Sequence, residues 1–324
     1  MNANPVLDEA ELETDAPAET SHEILDDYVY LIGRPTLRAF LSFVRNRSPD
    51  GRRADLGALT DEWRAAASHL LTLEKTEAGC ADHPAIQPLP DRLVPLRERF
   101  MRDPLVEHGF NTVPSQVGMV ELERLVVYQH HIDLSHVATL KDKLGPSPNE
   151  EAIFRLCLPF ERDQPPAKWA RVHRDTYVFN SPSNDLRFLG AMPLSSEQVA
   201  DYPPPGVLVG AVGLAVGFGS NFLSVINAFD RLIVHNGSHR AYALRDLGQT
   251  HAPCVIQHVY SREELNLIAS SAVAARPDVF VGQKRPPMLK DYFDPKLRKI
   301  IPVIRRLRQV TVKFQVDEGY VPAM

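Results

Sequence analysis

The stretch at 230–244, DRLIVHNGSHRAYAL, has the pattern of a strand that ends in a tight turn and a helix start. The apolar residues 232–234 lead to Asn236 and Gly237, and a helix-forming run begins at Ser238. Asn-Gly supplies the positive φ that such a turn needs, and the first N–H groups of a helix have no partner inside it. With the positive end of the helix dipole they make an anion site. The pattern therefore predicts an anion site at the mouth of a parallel crossover.

Two side chains after the turn add chemistry to this site. Arg240 carries a forked cation suited to phosphate or carboxylate, and His239 can donate or accept a proton near neutral pH. A phosphate-bearing ligand is therefore one interpretation. The alternative is a plain strand-to-helix turn in which Arg240 pairs with a carboxylate of the protein and His239 is a packed histidine.

Two segments resemble the sequence boxes of the ParB/sulfiredoxin-like superfamily. The run 236–248, NGSHRAYALRDLG, resembles the second box, which carries a Gly-x-x-Arg or Gly-x-His-Arg turn. The run 120–140, VELERLVVYQHHIDLSHVATL, resembles the first box, in which an apolar strand ends near a glutamine and a helix follows. The boxes occur in the correct order and span roughly residues 117–260, with more chain between them than the minimal family core contains.

The resemblance implies an α+β fold with the mixed-sheet core of that superfamily and nucleotide phosphates bound at the second box. Members act as nucleotide-dependent DNA clamps in the partition proteins, as sulfinic acid repair enzymes in the sulfiredoxins, and as kinases of free serine. Carried over position by position, the nucleotide-binding residues are Gly237, Ser238, His239 and Arg240, with Tyr128, Gln129 and His130 across the pocket.

The sequence departs from each of these branches. Partition proteins continue into a helix-turn-helix domain, whereas the roughly 60 residues after this core are basic and lack that pattern. Sulfiredoxins need a catalytic cysteine where this chain has Ser238. The kinase branch has a carboxylate base near the first box, where this chain has Gln129, His130 and His131. A histidine can replace that base because its pKa lies near neutrality.

The sequence therefore predicts a nucleotide-binding enzyme that transfers a phosphoryl group from ATP to a small molecule. ATP or CTP with Mg²⁺ is the expected cofactor, and His239 and His130 are the expected catalytic residues. Positioning and charge neutralisation carry most of this chemistry, and a helix start, an arginine and a metal ion supply both.

The sequence is compatible with two other functions. A DNA-associated nucleotide switch of the partition-protein type would use the basic segment 282–319 to attract nucleic acid. A metal-dependent enzyme without nucleotide would hold a transition metal, although the usual ligand spacing is absent. Its candidate ligands are His130, His131 and His136, with His239 of the second box and His235 directly before that box.

Composition limits the class of protein. The 324 residues are 44% hydrophobic and carry a net charge of −5, unlike proteins that coat nucleic acid, so nucleic acid is not the favoured partner. The three cysteines are widely spaced, which predicts reduced thiols. No signal-peptide pattern begins the chain, and no apolar run is long enough to cross a bilayer. We predict a cytoplasmic protein without a membrane partner, and its acidic start and basic tail leave a homo-oligomer open.

The order of patterns predicts four parts of the chain. They are a disordered acidic leader at 1–25, a helical N-terminal subdomain at 26–115, the superfamily core at 116–275 and a basic C-terminal extension at 276–324. Apolar periodicity in the subdomain predicts helices at 28–44, 59–76 and 93–101.

The core is predicted to contain several strands and one insertion. Apolar runs predict strands at 118–128, 153–160, 207–216, 221–229 and 252–259, Ser261 is predicted to cap a helix, and a further strand is predicted at 309–316. The insertion, at about 161–205, is predicted to be a β-hairpin lid. Its strands are predicted at 169–179 and 185–194, joined by the turn-forming cluster at 180–184.

Overall fold

The computed structural model describes residues 24–160, 164–201, 206–219 and 221–322. It is a mixed α+β structure with several β-sheets. The chain divides into two compact units. The core unit contains Glu23–Arg162 and Ser220–Arg305, and the inserted unit contains Asp163–Gly219 and Arg306–Met324. The predicted leader lies outside the described residues except for its last two positions.

The elements are numbered in chain order. The helices are α1 (Leu37–Arg47), α2 (Leu56–Thr76), α3 (Val94–Met101), α4 (Pro104–Gly109), α5 (Leu134–Leu144), α6 (Glu150–Cys157), α7 (Ser238–Asp246), α8 (Arg262–Ile268), α9 (Ser271–Ala275) and α10 (Pro277–Val281). The strands are β1 (Leu25–Leu31), β2 (Ile86–Gln87), β3 (Ser115–Glu121), β4 (His131–Asp133), β5 (Lys168–His173), β6 (Thr176–Ser181), β7 (Leu186–Leu194), β8 (Ala211–Phe218), β9 (Ser224–Ala228), β10 (Arg231–Asn236), β11 (His251–Val259), β12 (Arg298–Ile304) and β13 (Arg308–Lys313).

The largest sheet of the core unit positions the predicted anion turn. Its strand order is β10-β9-β11-β3-β2. β10 is antiparallel to β9, and β9 is parallel to β11. β10 and β11 therefore run in opposite directions, so the connection through α7 is not the parallel crossover that the sequence predicted. The strand, the turn and the helix themselves are confirmed.

Several other predicted elements are confirmed. The helices predicted at 59–76 and 93–101 are α2 and α3, and the strands predicted at 221–229 and 252–259 are β9 and β11. Ser261 caps α8 as predicted. In each case a clear apolar pattern is bounded by capping or turn residues, so the local signal and the tertiary environment agree.

The first apolar run of the core unit is a strand and not the start of the helix predicted at 28–44. β1 pairs with β12 along its length and with β4 on its other edge. Val29 and Leu31 enter the main core, whereas Tyr28 and Tyr30 enter a second core with α1 and α2. Because both faces of β1 are buried, the run is continuously apolar, and such a run does not distinguish strand from helix.

The segment predicted as a strand at 153–160 is helical instead. Its first part lies in α6, where the Asn149 side chain caps the helix. The buried residues are Ile153, Phe154 and Cys157. Ile153 and Cys157, and likewise Phe154 and Leu158, are four residues apart, which is the helical period and not the alternation of a strand.

The insertion is longer than predicted, and its strands pair differently. β5 and β6 form a hairpin whose turn lies at Arg174 and Asp175, inside the segment predicted as one strand at 169–179. β7 pairs with β8, so the strand predicted at 207–216 belongs to the inserted unit and not to the core sheet. The predicted pairing of 169–179 with 185–194 is therefore wrong. The observed two-residue turn at 174–175 closes a shorter loop than the predicted turn at 180–184, so closing it costs less chain entropy. β13 confirms the last predicted strand and pairs with β6.

Candidate functional site

The turn between β10 and α7 has the backbone that the Asn-Gly pair predicts. Gly237 has a φ of +91°, and a Cβ at this position would lie 2.8 Å from Leu223 Cδ1 and 3.0 Å from Leu223 Cα. The Asn236 side-chain oxygen accepts a hydrogen bond from the Gly237 N–H at 2.8 Å. Glycine is therefore required here by its conformation and by the close approach of Leu223.

Helix α7 begins without a side-chain cap, as do α3, α9 and α10. The helices α1, α2, α5 and α6, by contrast, each begin with a capping side chain, provided by Thr36, Asp55, Asp133 and Asn149 respectively. The N-cap of α7 is Gly237, which has no side chain to offer. Within the described ranges, the N–H groups of Ser238 and His239 have no hydrogen-bond acceptor. The first turn of α7 therefore presents backbone donors that a ligand can use.

The segment that resembles the first box runs beside β10 and the start of α7. Within it, Val126 forms a parallel bridge to Ile233 of β10. Farther along, the Tyr128 hydroxyl donates to the His235 carbonyl at 3.3 Å. The Asp133 N–H then donates to His239 Nε2 at 3.0 Å. The first box, distant in sequence, therefore contacts the chain on both sides of the turn.

His239 is a neutral residue whose Nε2 atom is already engaged. Because a backbone N–H donates to Nε2, the ring proton lies on Nδ1. Burial, followed by the nearby His136, His131 and Arg240, lowers the pKa of His239 to about 3. The His136 ring packs edge-on against it, with centroids 5.2 Å apart. This geometry does not support His239 as a general base, because the accepting nitrogen is occupied, and it instead joins α7 to the start of α5.

The Arg240 side chain lies inside the core unit, with 7% of its surface exposed. Burial raises the pKa of the Cys157 thiol to about 12, and the Arg240 charge acts in the opposite direction. The same charge contributes to the lowered pKa of His239. The charge of Arg240 therefore acts on groups of both α6 and α7.

Two residues of the first box, Gln129 and His130, are fixed through their backbone. The Gln129 carbonyl accepts from the Tyr292 hydroxyl at 2.6 Å, and the His130 carbonyl accepts from the Leu31 N–H at 2.7 Å. Burial, and then the charge of Arg276, lowers the pKa of His130. Its imidazole is therefore neutral at pH 7 and able to accept a proton.

The histidines predicted as metal ligands lie in different environments. The His131 ring packs against Tyr28 and Phe43, each with a centroid distance of 5.2 Å, and its Nδ1 is buried without a hydrogen-bond partner. His235 Nδ1 lies 3.2 Å from Gln257 Oε1. Among the residues that the structure describes, no group of three or more His, Cys, Asp or Glu side chains has the geometry to hold a metal ion. The three candidate histidines of the first box do not form such a group.

Two contacts of the site were not visible in the sequence. The Asp133 side chain caps α5, and the Asp133 backbone N–H also donates to His239. Leu223 packs on Gly237, and its N–H donates to the Cys157 carbonyl at 2.8 Å. This bond joins, beside the turn, the two core segments between which the insertion lies. No local pattern indicates either contact, because the partners are far apart in sequence.

Comparisons with protein-family models, with curated proteins and with solved structures give no significant match. Among the described residues, no helix combines the length and the apolar composition needed to cross a membrane.

Proposed function

We propose that this protein binds a nucleotide through its phosphates at the N-terminus of α7 and transfers a phosphoryl group from ATP to a small molecule. The observation that carries the proposal is that α7 begins uncapped at a left-handed glycine, while the adjacent α5 is closed by its own cap. A ParB/sulfiredoxin-like fold of the core unit belongs to the same proposal, and CTP is the alternative nucleotide.

Positive potential at the turn comes from three sources. These are the free backbone N–H groups, the dipole of α7 and the buried charge of Arg240. The dipole alone stabilises a nearby anion by about 0.3–2 kcal/mol, which is too little for useful affinity. Direct N–H donation and the arginine charge must supply the rest, and a multiply charged phosphate gains most from both.

The proposed transfer uses residues of both boxes. A hydroxyl oxygen of the acceptor forms a bond to the γ-phosphorus of ATP, the bond from that phosphorus to the bridging oxygen breaks, and ADP leaves. His130 takes the proton of the acceptor hydroxyl, because its imidazole is neutral. His239 is a positioning residue that holds α7 against α5. Mg²⁺ would accompany the nucleotide and neutralise part of its charge.

The alternative function, a DNA-associated nucleotide switch, depends on the basic segment 282–319, and the contacts of that segment favour it less than the nucleotide-binding enzyme. Charges that are paired within the fold contribute little to the attraction of nucleic acid phosphates. Several basic side chains of this region pair with carboxylates of the core unit, namely Arg285 with Asp291, Lys290 with Glu77, Lys299 with Glu62 and Arg305 with Asp26.

Nucleotide binding is tested by placing a negative charge at the helix start. Ser238 is the first residue of α7 and is buried. In Ser238→Asp, the new carboxylate would occupy the phosphate position, while the helix dipole favours it in the folded state. We expect the affinity for ATP, measured by calorimetry, to fall by at least about 100-fold. Thermal denaturation without nucleotide checks that the variant is folded.

The matched control is Ser68→Asp, which makes the same change at an exposed position of α2. We expect this variant to bind ATP as the parent protein does. The proposal fails if Ser238→Asp, correctly folded, keeps the affinity of the parent, or if neither ATP nor CTP stabilises the parent protein against heat.

A second variant separates binding from chemistry. His130→Gln keeps a polar side chain but cannot take up a proton at neutral pH. We expect unchanged ATP affinity and a loss of phosphoryl transfer of about 10²–10⁴-fold, the usual contribution of a general base. Transfer to a panel of hydroxyl-bearing metabolites can be followed by ADP release. Undiminished transfer in His130→Gln would exclude the proposed role of His130.

A further inference from the structure

A surface groove runs along α1 and the beginning of α2 and shares no lining residue with the α7 turn. We call it the α1 groove, and its lining residues are Leu37, Arg38, Leu41, Ser42, Arg45, Asn46 and Leu56. The residues from α1 are spaced four apart in two adjacent rows, so they form one continuous face of the helix. A different face of α1, with Phe40 and Val44, packs into the second core.

The floor of the α1 groove is apolar. Leu56 keeps 45% of its surface exposed, although it lies at the first position of a long helix. Leu37 and Leu41 are half-buried against the second core and contribute their outer surfaces to the groove. An apolar strip of this kind gains free energy when another apolar surface covers it.

The rim of the α1 groove is positively charged. Arg38 and Arg45 are exposed, and within the described chain neither forms an ion pair with a carboxylate. They are seven residues apart, which is two helical turns or about 10 Å along α1. The surrounding segment 37–54 contains five arginines and a single carboxylate, Asp50. The groove therefore combines an apolar floor with two cations at a fixed spacing.

These features favour one class of partner over two others. A nucleic acid backbone is polar and charged, so it would not cover an apolar floor. The protein's net charge of −5 also opposes the approach of nucleic acid. A membrane-binding helix exposes its apolar residues outward beyond the charged ones. Here Leu37 and Leu41 are recessed, whereas Arg38 and Arg45 are exposed. An acidic amphipathic helix matches both the floor and the rim.

We infer that the α1 groove binds an acidic amphipathic helix of a partner protein. Apolar side chains of that helix cover Leu37, Leu41 and Leu56, and two of its carboxylates, also seven residues apart, pair with Arg38 and Arg45. Helix-in-groove recognition of this kind uses apolar anchors at i, i+4 and i+7. Arginine is suited to the rim because it binds carboxylates with two parallel hydrogen bonds. The inference does not depend on the proposed nucleotide site.

The test uses the full-length protein and a fluorescein-labelled helical peptide of about four turns. Leucines occupy one face of the peptide, and glutamates flank them at seven-residue spacing. We expect saturable binding in fluorescence anisotropy that weakens as salt is raised. Arg38→Glu combined with Arg45→Glu should weaken binding by at least about tenfold. Leu41→Ser should weaken it through loss of the apolar floor, and a peptide with the same composition in scrambled order should bind at least about tenfold more weakly.

The matched control reverses the same amount of charge elsewhere on the core unit. Arg102→Glu combined with Arg262→Glu alters two exposed arginines of α3's end and α8. We expect this variant to bind the peptide as the parent protein does, and circular dichroism verifies that all variants are folded. Equal weakening in the control would reduce the effect to net charge and overturn the inference. It is also overturned if duplex DNA or vesicles of anionic lipid bind the groove more tightly than the peptide, with the same dependence on Arg38 and Arg45.

Discussion

His131 is a polar, ionisable residue that lies in an apolar environment. Its ring lies among the aromatic rings of Tyr28, Tyr30 and Phe43, and its Nδ1 is buried without a partner. Leaving a buried polar atom unpaired costs about 1–3 kcal/mol. Burial lowers the pKa of His131 to about 4, so the folded protein resists its protonation.

We predict that His131→Phe stabilises the protein. Removing the unpaired nitrogen should raise the free energy of unfolding at pH 7 by about 1–2 kcal/mol. The parent binds a proton at His131 more readily when unfolded, since the unfolded pKa of about 6.5 exceeds the folded value of about 4. Its stability therefore falls as the pH drops below 6.5, and the advantage of His131→Phe should grow by about 2 kcal/mol at pH 5. Urea unfolding at both pH values measures this.

His173→Phe, an exposed histidine of β5, is the control for that prediction. It should change neither the stability nor its dependence on pH. A His131→Phe variant that is less stable than the parent at pH 5 would contradict the argument.

Asp26 has the opposite dependence on pH. It is buried and accepts two hydrogen bonds from the Arg305 guanidinium, at 2.8 and 2.5 Å. The hydrogen bond from Arg305 lowers the pKa of Asp26 below 3.8. The unfolded chain therefore binds this proton more readily, so the pair stabilises the protein above pH 3.8 and the contribution is lost as the pH falls through the folded value.

We predict that Asp26→Asn lowers the free energy of unfolding by about 1–2 kcal/mol at pH 7, since Arg305 is half exposed and solvent screens the pair. The difference should shrink as the pH falls below 3.8, because the unfolded parent chain takes up a proton at Asp26 more readily than the folded protein does. Urea unfolding across this range is the measurement. Asp61→Asn, an exposed partner of Arg64, should have a negligible effect at every pH.

At the scale of elements, the β9–β10 hairpin is closed by an unfavourable turn. Phe229 and Asp230 have φ of +50° and +61°, between the paired residues Ala228 and Arg231. Both positions of such a two-residue turn favour glycine or asparagine, because a Cβ is crowded at positive φ. The His83 N–H donates to the Asp230 carbonyl at 2.8 Å, a bond that does not need the aspartate side chain.

We therefore predict that Asp230→Gly stabilises the hairpin by about 0.5–1 kcal/mol, because relief of the positive-φ strain exceeds the entropy cost of glycine. Thermal and urea unfolding measure the change. Asp230→Ala is the matched control, which loses the same side chain without gaining the conformational freedom of glycine. If both variants change stability equally, the backbone explanation is wrong and the lost carboxylate is responsible.

At the scale of the molecule, the two units differ in what holds them together. The buried hydrophobic residues of the described chain lie in the core unit, except for Leu186 of β7. The core unit has three clusters of buried side chains, whereas the inserted unit is built from paired strands with many exposed apolar residues. Apolar burial is the main source of folding free energy, so stability should reside in the core unit.

We predict that residues 24–160, joined to 221–305 by a short Gly-Ser linker, fold on their own. The Leu223 N–H and Cys157 carbonyl are hydrogen-bonded at 2.8 Å, so the linker spans a short gap. Urea unfolding of the joined chain should be cooperative, with a free energy within about 2 kcal/mol of the full protein. A joined chain without a cooperative transition would show that the inserted unit is needed for the fold. The inserted unit alone should unfold without cooperativity.

The sequence alone determined the local structure wherever the residues responsible are neighbours in the chain. Asn236 and Gly237 determined the turn, Ser261 and Asp133 determined the starts of two helices, and the apolar period determined α2. These features depend on contacts within about one helical turn, so a short window of residues contains the whole cause.

Tertiary structure decided everything that depends on a distant partner. β1 is a strand because β12 and β4 lie on its two edges, and β8 joins the inserted unit because β7 is its partner. His239 is neutral and engaged because the Asp133 N–H, from the other box, reaches its ring. Such pairings are chosen by the burial and hydrogen bonding of the complete fold, and no single segment of the sequence carries that information.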